Sequence, residues 1–299
     1  MKKIRHILEY LLALFCLQIV KLTPFFVVNY LSIVLGNCIY YFSKKRRTIA
    51  IDNISKAYGD KITENQVKDM AKKSCHSLIR TFLEGIKYDE LLKNPKAILE
   101  IAEKNKEILT LFQKAKVLHD NFGGCIFVTP HLGNWEFLPH VSSAVNIPLT
   151  VVARPLDNPY VERLLYSSRV SSGQILIPKR NALFKLQQTL SKKRSIGLLP
   201  DQSTMKGINV NFFGRTATAT PIPAMLAVNY KKPLIVVACC RDSNGFTGFV
   251  SEPIMAKDNK NEKDEVLRLT QEMTDKMEEI IKKFPHQYLW IHNRWKKYE

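Results

Sequence analysis

Hydrophobic and polar positions divide the chain into stretches of different period. From Ile7 to Phe42 the run is apolar, dominated by Leu, Ile, Val, Phe and Tyr, with only Glu9 and Lys21 charged. Lys2, Lys3 and Arg5 precede it and Lys44, Lys45, Arg46 and Arg47 follow it. A spanning helix needs about 20 apolar residues, so this stretch is nearer two short spans broken at Pro24. Two membrane geometries fit: one span over Ile7 to Phe26, or a shallow hairpin with both basic ends in the cytoplasm. A pair of core helices in a soluble protein is the competing reading, and the length of the run favours membrane attachment. No small-residue cleavage site follows, which argues against a signal peptide.

Beyond residue 47 the period changes twice. From Asn53 to Asn121 it is helical: Thr63-Glu64-Asn65-Gln66 fits a capping box opening a helix through Ser77, Leu78, Phe82 and Ile86. A second helix is expected over Pro95 to Leu118, ended by Asn121-Phe122-Gly123-Gly124. Then short apolar runs at Cys125–Val128, Leu149–Ala153, Ser195–Leu199, Leu234–Cys240 and Phe246–Ser251 read as strands. Helical patterns at Trp135–Ala144, Pro159–Ser171, Ala182–Lys192 and Ile222–Asn229 fall between them, and an amphipathic helix at Asp264–Lys283 precedes a last apolar stretch, Tyr288–His292. Strands alternating with helices predict an α/β fold: a mainly parallel central sheet flanked by helices, behind an N-terminal hydrophobic anchoring segment. No internal repeat or long linker interrupts it. The expected organisation is an anchor over residues 1–47 and one catalytic domain over 48–299.

Composition sharpens the picture at two points. The 299 residues are 45% hydrophobic, with 15 Phe, 11 Tyr and 3 Trp, which is ample material for a core. The formal net charge of +18 predicts attraction to polyanions, whether nucleic acid, anionic lipid or an acidic protein. No helix-turn-helix, RNP or OB-type pattern accompanies that charge, so nucleic acid is not the expected partner. The six cysteines contain no CxxC pair, and Cys239-Cys240 lies in an apolar run. They read as reduced, buried thiols rather than disulfides or a zinc site.

The segment with chemistry is Thr129-Pro130-His131-Leu132-Gly133-Asn134-Trp135-Glu136. It follows one expected strand and opens a helix, and the carboxyl ends of parallel strands are where α/β enzymes place their sites. A carboxylate five positions after a histidine can accept one imidazole N–H, leaving the other nitrogen to take a proton from a substrate hydroxyl. His131 and Glu136 are thus the candidate catalytic pair. By spacing alone such a pair is a weak signal, and its strand-turn-helix context is what raises it. Arg154, at the end of the next strand, could clamp a phosphate or an oxyanion, or simply pair with Asp157. Asp201, after another strand, could orient a site group or cap a turn. Asn134, inside the motif, is a further candidate for substrate or oxyanion contact. His292 and Arg294 read as structural, in a Trp-rich ending that docks against the core. Gly214 reads as a backbone device. No Gly-rich phosphate loop, zinc spacing or Ser/Cys nucleophile motif is present, so no metal or cofactor is expected.

The ordered set of motifs resembles the bacterial lipid A biosynthesis acyltransferase family, the late lauroyl/myristoyl transferases. TPHLGNWE resembles its HxxxxD/E block, and Ala153 to Pro159 its second block, with an arginine before a proline and a later Asn-Pro. Leu199-Pro200-Asp201-Gln202 resembles its PDQ block, and Phe212-Phe213-Gly214-Arg215 its FFG segment. Trp290 to Trp295 resembles its WxHxRF ending, with Trp for Phe. The resemblance implies an enzyme on the inner membrane of a Gram-negative cell, its catalytic domain facing the cytoplasm. It implies transfer of an acyl chain from acyl carrier protein to a hydroxyl of a phosphorylated, Kdo-bearing lipid A precursor. Acylation of another glycolipid or of a glycerophosphate is the alternative, because the H-x4-[DE] device is shared. Both carrier and acceptor are acidic, in keeping with the net charge.

Overall fold

The computed structural model describes residues 2–91, 106–171, 174–243, 245–258, 261–296 and 298, with single positions 96, 100 and 103. Ten long helices fall among these residues: α1 (Lys2–Leu22), α2 (Phe25–Phe42), α3 (Lys44–Tyr58), α4 (Glu64–Leu91), α5 (Lys106–Phe122), α6 (Phe137–Ala144), α7 (Pro159–Ser171), α8 (Ala182–Ser191), α9 (Ile222–Tyr230) and α10 (Glu262–Lys283). Eight strands accompany them: β1 (Ile126–Val128), β2 (Thr150–Ala153), β3 (Ile175–Pro178), β4 (Ile196–Leu198), β5 (Ile208–Phe212), β6 (Arg215–Ala219), β7 (Leu234–Asp242) and β8 (Gly245–Val250). The six-stranded sheet has the order β3-β2-β4-β1-β7-β8 and is parallel except for β8. This is the mixed α/β architecture with a mostly parallel sheet that the alternating pattern predicts.

Strands buried on both faces explain the unbroken apolar runs in the sequence. β1 is buried throughout, and β7 from Leu234 to Arg241. On one face Leu111 and Phe112 of α5 and Phe137 and Val141 of α6 pack together with Ile235 and Phe246. On the other, Leu186 and Leu190 of α8 and Leu269 and Met273 of α10 close over Ile126 and Val236. A third cluster joins Ile54 of α3 and Ala71 of α4 to Phe212, Phe213 and Trp290, so the Trp-rich ending docks against the core as expected.

Local chemistry sets the helix ends. Thr63 and Gln66 form the expected capping box: Gln66 N–H donates to Thr63 Oγ1 at 3.3 Å and Thr63 N–H to Gln66 Oε1 at 2.7 Å. Asn261 Oδ1 accepts from Lys263 N–H at 3.0 Å at the start of α10, whose first turn is acidic and last turn basic.

Three strands go beyond the sequence expectations. β3 is a four-residue edge strand ending in Pro178, and β5–β6 form a separate antiparallel hairpin. The hairpin's two-residue turn is Phe213-Gly214, with φ of +53° and +71°, so Gly214 serves backbone geometry. Of the helix expected over Pro95–Leu118, the amino-terminal part lies outside the described residues. Tyr288–His292 forms no strand, only a bridge from Tyr288 to Leu132.

The amino terminus corrects two expectations. A single span over Ile7–Phe26 would cross the break at Thr23-Pro24, where α1 stops and α2 begins. Pro24 lacks the N–H and steric room to continue α1, and at the start of a new helix neither matters. Among the described residues, one helix is long and apolar enough to cross a membrane, Phe25–Phe42, with a mean hydropathy of 1.6. Cys16 and Cys38 are exposed on these helices, whereas Cys75, Cys125, Cys239 and Cys240 are buried as expected. All six thiols are free. α2 packs along α4, where Gly36 passes so close to His76 that a Cβ would lie 2.7 Å from its ring. Asn37 Oδ1 lies 2.7 Å from His76 Nε2 at the same crossing.

Candidate active site

Chain direction builds the site before any side chain is considered. β1 and β4 are parallel neighbours, pairing Val128 with Leu198, so the segments leaving their carboxyl ends emerge side by side. One carries His131, three residues past β1, and the other Asp201, three past β4. His131 Nδ1 lies 2.6 Å from Asp201 Oδ1, and the His131 backbone N–H donates to Asp201 Oδ2 at 2.8 Å. Both carboxylate oxygens thus hold one residue. In the neutral ring a carboxylate at Nδ1 favours the proton there, and Nε2 faces away from Asp201. The imidazole side chain is 19% exposed and Asp201 only 3%, so the histidine can meet a ligand while its partner cannot.

Charge reinforces the geometry. Burial alone would depress the imidazole, but the charge and hydrogen bond of Asp201, with the charge of Glu136, hold it above its ordinary value. Burial would raise Asp201; the His131 charge, its two hydrogen bonds and nearby Arg294 keep it below the usual carboxylate range. The Tyr288 hydroxyl also bonds to Asp201 and is pushed well up, first by burial and then by that negative charge. Gln202 Nε2 stands 3.5 Å from His131 Nε2, and the Trp135 ring lies edge-on to the imidazole at 5.3 Å.

Glu136 sits at the opening of α6, half-buried, beside Gly85 of α4. The sequence pairing of His131 with Glu136 is therefore revised in one respect. The Nδ1 hydrogen bond belongs to Asp201, 70 residues away, and the effect of Glu136 on the ring is coulombic. Asp201 meets both sequence readings at once, accepting the His131 backbone N–H of the turn and lying against the imidazole. Arg154 lies exposed at the carboxyl end of β2, its carbonyl accepting from the Tyr166 hydroxyl at 2.8 Å. Asn134 is fully buried: its Nδ2 donates to Glu84 Oε2 at 2.9 Å and its Oδ1 accepts from Phe137 N–H at 3.2 Å. It holds the turn rather than reaching the site opening.

The turn is clamped from behind. Gly133 has φ +63° and lies against β7, where a Cβ would stand 2.2 Å from the Cys239 carbonyl oxygen. Asn134 N–H donates to that oxygen at 2.7 Å, and Leu289 N–H to His131 O at 3.0 Å. Gly133→Ala should therefore cost about 2–4 kcal/mol, from a left-handed backbone plus overpacking against a strand. A thermal melt in detergent checks it; an unshifted midpoint would contradict the close approach. Deeper still, Glu84 of α4 and Arg241 of β7 form a buried ion pair at 2.7 Å. Arg241 also donates to Thr81 Oγ1 at 2.8 Å, and Thr81 Oγ1 donates to Gly133 O at 2.6 Å. Neither Glu84 nor Arg241 belongs to a motif in the sequence. A signal exists all the same, because an acid on the apolar side of an amphipathic helix asks for a buried cation.

The decisive comparison concerns the whole chain. Residues 1–297 match the profile of the family described as bacterial lipid A biosynthesis acyltransferase. The chain belongs to this family. Among curated proteins, the phosphatidylinositol mannoside acyltransferase of Mycolicibacterium smegmatis is 26% identical over 178 residues, 58% of this chain and 57% of that protein. The enzyme of the same description from Mycobacterium tuberculosis is 24% identical over 177 residues, 58% and 54% respectively. The chain thus aligns with a little over half the length of these curated relatives.

Proposed function

We propose that the protein is a membrane-bound O-acyltransferase that moves a fatty acyl chain onto a sugar hydroxyl of an anionic glycolipid. The observation that carries this reading is the His131–Asp201 pair, which turns Nε2 away from Asp201, next to Gln202 Nε2, on a partly exposed side chain. Nε2 takes the proton of the acceptor hydroxyl as its oxygen attacks the acyl carbonyl carbon. The imidazolium formed lies between two negative charges, Asp201 through a hydrogen bond and Glu136 through space. Collapse of the tetrahedral intermediate expels the donor thiolate, which His131 reprotonates. The acidic donor is acyl carrier protein, and Arg154 meets a phosphate of the acceptor or the oxyanion. Residues 1–47 act as the anchor, placing a domain formed by residues 48–299 on the cytoplasmic face of an inner membrane.

Two acceptors fit this chemistry. The family is described as acting in lipid A biosynthesis, with which a phosphorylated, Kdo-bearing precursor would agree, whereas the mycobacterial relatives are described as phosphatidylinositol mannoside acyltransferases. Purified protein in detergent, given acyl carrier protein loaded with radiolabelled acyl chains, should label one of the two acceptors. Label on neither would sink the proposal. Mass spectrometry of lipids from cells with and without the gene makes the same test in vivo.

Glu136→Gln separates charge support from binding. It removes a negative charge near the imidazolium, so kcat should fall more than KM for the acceptor rises. A change confined to KM would make Glu136 a binding residue.

A further inference from the structure

Outside the first 42 residues, several large apolar side chains stand exposed in one region of the fold. Leu156 leaves β2, Leu199 leaves β4, and Leu183 and Phe184 open α8, Phe184 being 68% exposed. Met205, 72% exposed, lies in the segment after β4. Topology puts all of them at the carboxyl edge of the parallel strands, because each crossover helix starts at that edge and runs back. Basic side chains interleave with them. Ala153 pairs with Pro178 across β2 and β3, so exposed Arg154 and Lys179 are the next residues on adjacent strands. Arg180 and Lys206, both exposed, belong to the same edge.

This edge is continuous with the apolar helices. Asn158, at the start of α7, donates through Nδ2 to His6 O at 2.9 Å and to Glu9 Oε2 at 2.8 Å on α1. The Tyr10 and Tyr160 rings meet at 6.2 Å in the same contact. From that junction α1 presents Ile4, Leu8, Leu11, Leu12 and Phe15, all more than half exposed. Apolar tips among basic side chains, continuing such a helix, suit the boundary between head groups and acyl chains of an anionic bilayer.

We propose that the carboxyl edge of the sheet is a second membrane-contacting lip. Leu183 and Phe184 enter the acyl boundary, and Lys179 and Arg180 hold phosphate head groups. The proposal deepens the acyltransferase reading and rests on its lipid-embedded acceptor, which would reach His131 at the same edge without leaving the bilayer. An acidic carrier protein would also answer to the basic residues. The exposed leucines and phenylalanine, on an edge that meets α1 at Asn158, favour lipid.

Depth measurement tests the lip without any turnover. In a C16S/C38S background the remaining cysteines are buried and their thiols raised, Cys125 to about 12 by burial, so a single engineered cysteine takes an environment-sensitive fluorophore. Full-length protein labelled at F184C is mixed with phosphatidylcholine–phosphatidylglycerol vesicles carrying a shallow nitroxide lipid. A label at K192C, at the far end of α8, serves as the control. The fluorophore at 184 should shift to the blue and lose most of its intensity to the nitroxide, while that at 192 stays unchanged. Equal exposure of the two labels to water would overturn the proposal. Adding K179E/R180E should weaken the anionic-lipid dependence of quenching at 184 by about fivefold per charge lost. Unchanged quenching with a raised KM for the carrier-bound donor would instead make the patch a donor dock, and would equally overturn it. Failure of acyl transfer with the quenching pattern intact would count against the enzyme reading alone.

Discussion

Asp201→Asn is expected to lower kcat by about 10²–10⁴ while leaving the fold intact. The amide is nearly isosteric, and one of its ends can still accept the His131 backbone N–H. What it cannot do is accept that bond and the Nδ1 proton with two equivalent oxygens, or carry the negative charge beside the imidazolium. His131→Ala should give a loss of similar size, because it removes the proposed base outright. The double variant should be little worse than either single one, since residues acting as a unit are non-additive. The pH profile adds an independent check. In the proposed mechanism neutral imidazole is the active form, so activity falls as pH drops through the His131 pKa. That pKa is held above the ordinary histidine value, about 6.5, by Asp201 and Glu136. Removing the Asp201 charge lowers it, so the acid limb of kcat/KM should move to lower pH in Asp201→Asn. The limb should stay raised only if Glu136 supplies most of the effect. Near-normal turnover in Asp201→Asn would remove Asp201 from the mechanism.

The pairing of His131 with Asp201 shows where a sequence stops being legible. The strand before each residue stands out as a short apolar run, and so does the placement of each residue just past a carboxyl end. Which strands become neighbours does not. β4 inserts between β2 and β1 in the sheet, and only that order brings residue 201 to residue 131. Without it, the nearest carboxylate in sequence, Glu136, is the natural orienter. Asn134 misleads for a related reason. A polar residue in a catalytic turn reads as a substrate contact until the helix packed behind it, α4, is seen to supply Glu84. The β5–β6 hairpin is obscured because Phe212-Phe213-Gly214-Arg215 reads first as a motif. Its strands alternate with Asn and Thr, whereas Phe213-Gly214 is a two-residue turn signal in its own right. The exposure of Cys16 and Cys38 follows from the apolar helices that carry them, whose outer faces stand largely exposed.

Loss of one partner of the buried Glu84–Arg241 pair is expected to be the most damaging change to stability, at about 3–5 kcal/mol. Each group is almost wholly enclosed, with side chains 3% and 7% exposed, so neither can recover water when the other is removed. Arg241→Met would leave Glu84 with the half-exposed Arg80, at 2.6 Å, and the Asn134 amide as partners. Glu84→Leu would leave the Arg241 guanidinium on two neutral hydroxyls, Ser77 at 3.3 Å and Thr81 at 2.8 Å. It would also strip Asn134 of its acceptor, so Glu84→Leu should be the worse of the two. The double variant Glu84→Leu/Arg241→Met removes both charges together and should recover part of the loss, because a buried ion pair replaced by apolar groups is often close to neutral. Recovery should be incomplete, since the pair also braces the turn that carries His131: Thr81 holds Gly133 O and Gln287 Nε2 donates to Arg241 O at 2.7 Å. A double-mutant cycle read by thermal melting, with kcat measured on each variant below its midpoint, separates these contributions. A double variant with restored stability but low kcat would show that the pair positions the turn carrying His131. Strict additivity of the two single losses would mean that the charges do not interact across the α4–β7 contact, contrary to their geometry.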